Sequence, residues 1–197
     1  ESASTFGTLA LTGANVAVTD AGAVDLGAST VGGTLGITSA GAVTDSGTLA
    51  ITGATTISAS GQDITLDEAA STFGTLALTG ANVAVTENAA TDLGASTVSG
   101  TLGITSAGAV TDSGTLAITG ATTISASGQD ITLDESASTF GTLALTGANV
   151  AVTDAGAVDL GASTVSGTLG ITSAGAVTDS GTLAITGATT ISASGQD

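Results

Sequence analysis

The chain has 197 residues and a formal net charge of −17, because its 17 acidic side chains are opposed by no Lys, Arg or His. Nucleic acids and anionic membrane surfaces are bound through Lys and Arg, so both are poor partners, and polar residues interrupt every apolar run that could enter a membrane. Without His, Cys or Lys the chain cannot build a Ser-His-Asp or Cys-His arrangement, and we expect no enzymatic activity and no cofactor.

One segment is written almost three times along the chain, and Phe6, Phe73 and Phe140 mark its period. Near-identical tandem copies are typical of an elongated array in which each copy contacts its neighbours, so we predict a single continuous domain. Neither end resembles a capping repeat, and we expect a segment of a longer array. The predicted repeats are 1–67, 68–134 and 135–197. The second copy differs chiefly where Asp20, Ala21-Gly22 and Val24 become Glu87, Asn88-Ala89 and Thr91.

Along each copy, apolar residues alternate with small or polar ones, which predicts strands with one buried face. Val, Ile and Thr suit a pleated strand, whereas Gly recurs too often for a helix. Sets of Gly, Asn, Asp and Ser between the segments predict turns. In the first copy the predicted strands are 8–12, 15–19, 23–27, 34–38, 42–44, 48–52, 55–59, 63–67 and 71–73.

The number of coils per copy follows from an assumption that every copy occupies the same environment, which requires a whole number of coils. Three coils of about 22 residues meet this requirement. Gly-Thr-Leu triplets begin at Gly7 and Gly33, 26 residues apart, and at Gly47 and Gly74, 27 residues apart. A coil of that length would give about two and a half coils per copy, so successive copies would face opposite ways. We predict an all-β parallel β-helix, or β-solenoid, with about three coils per repeat, and nine coils would make a rod of about 43 Å.

The alternation also predicts a core of stacked aliphatic side chains, which together with backbone ladders would stabilise the rod. The single Phe of each copy is expected to fill a corner of this core, since buried aromatic residues usually serve packing. The predicted core residues are Leu9, Leu11, Val16, Val18, Leu35, Ile37, Leu49, Ile51, Ile57, Ile64, Leu66 and Phe73.

The run from Gly33 to Gly47, followed by Thr48 to Ala59, resembles the repeats of filamentous-haemagglutinin-type bacterial adhesins and related giant surface proteins. The resemblance implies a right-handed parallel β-helix, secretion across an outer membrane, and an extracellular or cell-surface location. It further implies a rigid shaft that reaches a host or partner cell through regions outside this segment. The alternative is a self-assembling extracellular filament whose subunits stack end to end, since an uncapped sheet edge templates further strands.

Calcium binding is a further alternative, because Ca²⁺ takes six to eight oxygen ligands and acids are plentiful. Asp63 and Asp67 flank the strand Ile64-Thr65-Leu66, and we expect Asp92 of the next copy to approach them. Asp20 and Asp45 follow similar Val-Thr sequences and are expected to stack. The competing interpretation is that these acids are solvated turn residues, and the Gly-Gly-x-Gly-x-Asp signature of calcium β-rolls is absent.

Two other functions fit less well. The adjacent acids Asp67 and Glu68 would point to opposite faces of a strand, so they do not form the convergent carboxylate pair of a glycosidase. An ice-binding solenoid needs a regular threonine array, and the spacing between Thr8, Thr12, Thr19, Thr30 and Thr34 drifts. We therefore expect that no regular Thr-x-Thr array recurs on every coil.

Overall fold

The computed structural model describes residues 4–194, so the outermost residues of the first and third repeats, 1–3 and 195–197, lie outside the description. Within the described range the chain consists of β-strands and short connections, and it holds no helix with the length and apolar character of a membrane span. The 27 strands of this range are β1 (Thr8–Leu9), β2 (Thr12–Gly13), β3 (Val16–Asp20), β4 (Val24–Leu26), β5 (Ser29–Val31), β6 (Leu35–Ser39), β7 (Val43–Asp45), β8 (Leu49–Ile51), β9 (Thr55–Ser58), β10 (Ile64–Leu66), β11 (Thr75–Gly80), β12 (Val83–Glu87), β13 (Thr91–Leu93), β14 (Ser96–Val98), β15 (Leu102–Ser106), β16 (Val110–Asp112), β17 (Leu116–Ile118), β18 (Thr122–Ser125), β19 (Ile131–Leu133), β20 (Thr142–Gly147), β21 (Val150–Asp154), β22 (Val158–Leu160), β23 (Ser163–Val165), β24 (Leu169–Ser173), β25 (Val177–Asp179), β26 (Leu183–Ile185) and β27 (Thr189–Ala193).

Two sheets form the two broad faces of the molecule, and each strand pairs in parallel with strands one coil away. The first face runs in the order β1, β4, β7, β10, β12, β15, β18, β20, β22, β25, and β23 and β26 belong to its sheet. The second face runs in the order β3, β6, β9, β11, β13, β16, β19, β21, β24, β27, and includes β14 and β17. A small sheet of β2, β5 and β8 corresponds to β20, β23 and β26 of the third copy. Ten strands along each face make about ten coils, and the predicted all-β parallel solenoid is confirmed.

Each copy contains three and a half coils, close to the predicted three. Seven steps along the first face lead from Thr8 in β1 to Thr142 in β20, its equivalent two copies later. Two copies therefore make seven coils of about 19 residues. The half coil moves every feature to the other face in the next copy, so Thr75 in β11 lies on the second face. The assumption of a whole number of coils is wrong, and successive copies do face opposite ways.

Coil length varies, which explains why sequence spacing concealed the half coil. Thr8 pairs with Asp25, whereas Ala50 pairs with Thr72 across a distinctly longer coil. The predicted strands lie close to observed strands, with 71–73 represented by the bridge at Thr72. The omitted strand is β5, which pairs with both β2 and β8. Because β5 was omitted, nine strands were predicted per copy, and nine strands divide evenly into three coils of three strands each.

The alternating pattern places the aliphatic residues inside, as predicted. Of the twelve predicted core residues, eight are buried, and Leu9, Leu11, Val16 and Val18 of the first coil are partly buried against the core. Phe73 is 6% exposed. Burial of one Leu or Ile side chain contributes about 1.5–3 kcal/mol, so the uninterrupted aliphatic stack is the main source of stability. The core of this region also includes Val24, Leu26, Val31, Val43 and Ala59.

The turns stack as closely as the strands, and glycine permits this at specific positions. A Cβ atom on Gly53 would lie 2.6 Å from the carbonyl oxygen of Gly33 in the preceding coil. A Cβ atom on Gly36 in β6 would meet nothing closer than 3.9 Å, and one on Gly32 would meet nothing within 4 Å. Gly32 is the position where the second copy carries Ser99. Glycine is therefore a packing requirement at Gly53 and not at Gly36 or Gly32.

Candidate functional site

The five predicted calcium ligands do not converge. Asp63 and Asp67 flank β10 on the first face, where Asp45 ends β7. Asp92 lies in β13 and Asp20 ends β3, both on the second face. The expected approach of Asp92 to Asp63 and Asp67 is therefore absent, and Asp20 does not stack on Asp45, because the two lie on opposite faces of the solenoid. Within residues 4–194, no group of three acidic side chains is arranged to hold a metal ion.

Two of these acids hold neighbouring coils together at the surface. The Oδ1 atom of Asp63 accepts hydrogen bonds from the backbone N and Nδ2 of Asn82, at 3.1 and 2.9 Å. The Oδ2 atom of Asp92 accepts hydrogen bonds from the hydroxyl groups of Thr75 and Ser113, each at 2.8 Å. Each acid thus bridges adjacent coils, and these oxygens are already engaged by uncharged donors.

The equivalents of Asp92 in the other copies, Asp25 and Asp159, accept hydrogen bonds from the same kinds of hydroxyl groups. Hydrogen bonds from the hydroxyl groups of Thr8 and Ser46 hold the pKa of Asp25 below its ordinary value. Ser180 and Thr142 lower the pKa of Asp159 in the same way. The carboxylates of Asp25 and Asp159 are therefore stabilised in their charged form.

Asp45 is in the opposite situation, since it is only 8% exposed. Its Oδ1 atom accepts a hydrogen bond from the backbone N of Asp67 at 2.9 Å, but its buried Oδ2 atom has no hydrogen-bond partner. Burial raises the pKa of Asp45; hydrogen bonds from the backbone N–H groups of Asp67 and Glu68 oppose this rise, and repulsion from the carboxylates of the same two residues adds to it. Asp112 repeats this arrangement in the second copy: it is 9% exposed, accepts the Asp134 N–H at 2.8 Å, and has an unpartnered Oδ2 atom.

A second type of buried carboxylate closes the turn after β3, β12 and β21. In the third copy this residue is Asp154, which is 2% exposed. One oxygen accepts the N–H of Phe140 at 3.0 Å, and the other accepts the N–H of Gly156 at 2.6 Å. Asp20 makes the equivalent bonds to Phe6 and Gly22. Both carboxylate oxygens of each aspartate therefore have a backbone donor, although burial still raises the pKa of Asp154.

The second copy places Glu87 at this position and loses one of the two donors. Glu87 is 2% exposed; its Oε1 atom accepts the N–H of Phe73 at 2.7 Å, while its buried Oε2 atom has no hydrogen-bond partner. Burial raises the pKa of Glu87, against the opposing effect of the Phe73 N–H and the Thr91 hydroxyl. Sequence reasoning did not identify this site, although the changes to Glu87, Asn88-Ala89 and Thr91 all fall in this one turn and were the available signal.

A row of hydroxyl groups also runs along the second face. Register pairs Thr19 with Thr38, Thr38 with Ser58, Ser58 with Thr79, and Thr79 with Thr97, and none of the five is buried. The interval in sequence differs from each pair to the next because coil length changes, so a search for a fixed period does not find the row. The row is one residue wide, includes Ser58 and covers five coils, so it is not a Thr-x-Thr array that recurs on every coil.

The first and last coils of the described chain each have one unpaired edge, since β1 pairs with β4 and β27 pairs with β24. Phe6 and Ile191 in these coils are 44% and 50% exposed. Their equivalents inside the stack, Phe73 and Ile124, are 6% and 0% exposed. These two residues are exposed because no described coil covers them, whereas Phe73 and Ile124 are each covered by a neighbouring coil.

Comparison with known proteins agrees with the repeat organisation of the chain. No curated protein and no solved structure matches the chain. The family model described as "Repeats of unknown function (DUF5649)" matches three consecutive segments, 13–79, 80–146 and 147–197. The matched segments cover most of the chain and reproduce its 67-residue period. The chain therefore belongs to the family of DUF5649 repeats.

Proposed function

We propose that this chain is a non-enzymatic structural segment, the rigid shaft of a large secreted or cell-surface protein of bacteria. The observation that carries the proposal is the continuous ladder of ten strands along each face, which runs through all three copies without a break. Each copy would add three and a half coils, or about 17 Å of length at about 4.8 Å per coil. In this proposal the number of copies sets the length of the shaft, and no chemical reaction is involved.

The location and the partners follow from the resemblance to adhesin-type repeats and belong to the same proposal. The shaft would hold a tip that lies outside this segment against a host or partner cell. Its own partners would be neighbouring repeats. The net charge of −17 supports this role, because it favours solubility and disfavours lateral contact between shafts.

The test is a series of chains with two, three and four copies, measured by small-angle X-ray scattering and electron microscopy. The maximum dimension should increase by about 17 Å with each copy at constant cross-section. A cross-section that grows with copy number, or a length that does not, would contradict the shaft. Catalytic screening is unnecessary for this test, because the measured quantity is length.

A second candidate function is end-to-end assembly into a filament, which the matching strand register of successive copies favours. If β27 of one molecule paired with the β1–β2 segment of the next as β9 pairs with β11, Leu11 would lie beside Ile191. Analytical ultracentrifugation of wild type and Ile191→Asp separates the two functions. Concentration-dependent growth that Ile191→Asp abolishes would favour the filament, whereas monodisperse rods at high concentration would exclude it for this chain.

A further inference from the structure

The chain has no Lys, Arg or His, so no side chain can neutralise a buried carboxylate by forming an ion pair. Transfer of an ionised carboxylate from water to a buried site is strongly unfavourable unless a partner compensates, and an uncompensated group takes up a proton instead. Buried acids therefore have two options in this fold, which are hydrogen bonds from neutral donors or protonation.

The two kinds of closing turn illustrate both options. Asp154 satisfies each carboxylate oxygen with a backbone N–H, at 3.0 and 2.6 Å. Glu87 occupies the same position in the second copy and satisfies only Oε1, at 2.7 Å from the Phe73 N. Its Oε2 atom is buried without a partner. The groups that act on Glu87 are the uncharged Phe73 N–H and Thr91 hydroxyl. Nothing charged thus compensates a negative charge on Glu87.

Asp45 and Asp112, at the ends of β7 and β16, are also buried carboxylates without a neutralising charge. Each has one unpartnered buried oxygen, Oδ2. The charged groups that face Asp45 are the carboxylates of Asp67 and Glu68, which follow β10 in the next coil. Asp134 and Glu135 face Asp112 in the same way. Burial and the repulsion from these carboxylates oppose ionisation, and together they outweigh the backbone N–H groups of the same residues, which favour it.

We propose that the solenoid is a proton-linked fold, in which Glu87, Asp45 and Asp112 bind protons as the chain folds and mild acid strengthens the shaft. This is the reverse of ordinary acid denaturation, in which carboxylates that are favourably paired in the native state must be protonated. The proposal concerns stability and does not depend on whether the shaft function is correct.

The direction of the pH dependence follows from linkage. Burial raises the pKa of these three carboxyl groups in the folded state, and it also raises the pKa of Asp154, although the two backbone donors of Asp154 oppose the rise. Their contribution is therefore fully present below the pKa of the unfolded chain and is lost as the pH rises through the folded pKa. Asp25 and Asp159 act in the opposite direction, because their pKa values are lowered, and they lose their contribution only in stronger acid. Stability should pass through a maximum in mild acid.

The first experiment measures urea unfolding between about pH 8 and pH 5, in about 0.5 M NaCl so that long-range repulsion is screened. The unfolding equilibrium constant should fall as the pH falls, by up to about tenfold per pH unit for each proton taken up. Glu87→Gln and Asp112→Asn keep the shape and remove the ionisation, so each should be more stable than wild type at pH 8 and show a smaller pH slope. Asp159→Asn removes one charge from the surface and is the matched control; it should keep the wild-type slope.

A second measurement uses the wild-type chain and does not depend on how variants fold. The sequence has four glutamates, Glu1, Glu68, Glu87 and Glu135, so carbon-13 labelling of glutamate gives four carboxyl signals in NMR. One signal, absent in Glu87→Gln, should titrate at higher pH than the others. Four signals that all titrate in the ordinary range, or an unfolding constant that rises as the pH falls from 8 to 5, would overturn the proposal.

Discussion

Thr44, Thr111 and Thr178 occupy the same position in the three copies, and pairs of spin labels on them test the half coil directly. All three side chains are exposed. Thr44 and Thr178 lie on the first face, whereas Thr111 lies in β16 on the second face. The chain has no native cysteine, so substitution of two threonines by cysteine gives two labels and no background.

The expected distances follow from the strand register. Seven coils separate Thr44 from Thr178, which gives about 34 Å at about 4.8 Å per coil, whereas three coils per copy would give about 29 Å. Thr44 and Thr111 are offset by about 17 Å along the axis and by at least about 10 Å across the sheets, so their separation should be about 20 Å or more. On one face with three coils between them, they would be about 14 Å apart.

Pulsed electron paramagnetic resonance measures these distances, and Thr44 with Thr123 serves as the matched control. Both residues lie on the first face with four coils between them, which predicts about 19 Å and calibrates the rise per coil. Labels on Thr44 and Thr111 point away from opposite faces and should be farther apart than the control pair. If they are closer than the control pair, or if the Thr44–Thr178 distance matches the shorter value expected for three coils per copy, the half coil is wrong.

Three further outcomes can be measured with simple unfolding and scattering experiments. Gly53→Ala should lower the free energy of unfolding by about 1–3 kcal/mol, because its Cβ would overlap the preceding turn, whereas Gly36→Ala should not; equal urea midpoints would argue against close turn stacking. Thr122→Val should raise the free energy of unfolding by about 1 kcal/mol, because the Thr122 hydroxyl is buried without a partner. The same change at the exposed Thr123 should give no gain, and a loss at Thr122 would indicate that its hydroxyl has a donor or acceptor. Lowering the pH below about 4, the ordinary pKa range of Asp and Glu, should cause association as carboxylate repulsion fades, and flat light scattering down to about pH 3 would contradict this.

The sequence predicted much of the fold because its information is local. Alternation such as Leu35-Gly36-Ile37 identifies a strand and its buried side without reference to any other segment, and the core residues predicted in this way all pack against the core. The 67-residue period likewise predicts one continuous array, and the repeat family reproduces that period. The number of coils required knowledge of which strand pairs with which. Coils of unequal length leave no fixed spacing from which to count them.

The candidate sites depended on that same long-range register. The positions of Asp63 and Asp92 along the chain allowed a shared calcium site, and only the half coil places them on opposite faces. The burial of Glu87 likewise appears only when the next coil covers its turn, since the sequence shows no more than an acid among small residues. By itself the sequence determined the strands, the repeat and the absence of cations. Only the tertiary structure decided that successive copies present opposite faces and which carboxylates are buried. Both depend on contacts between residues a full coil apart in sequence.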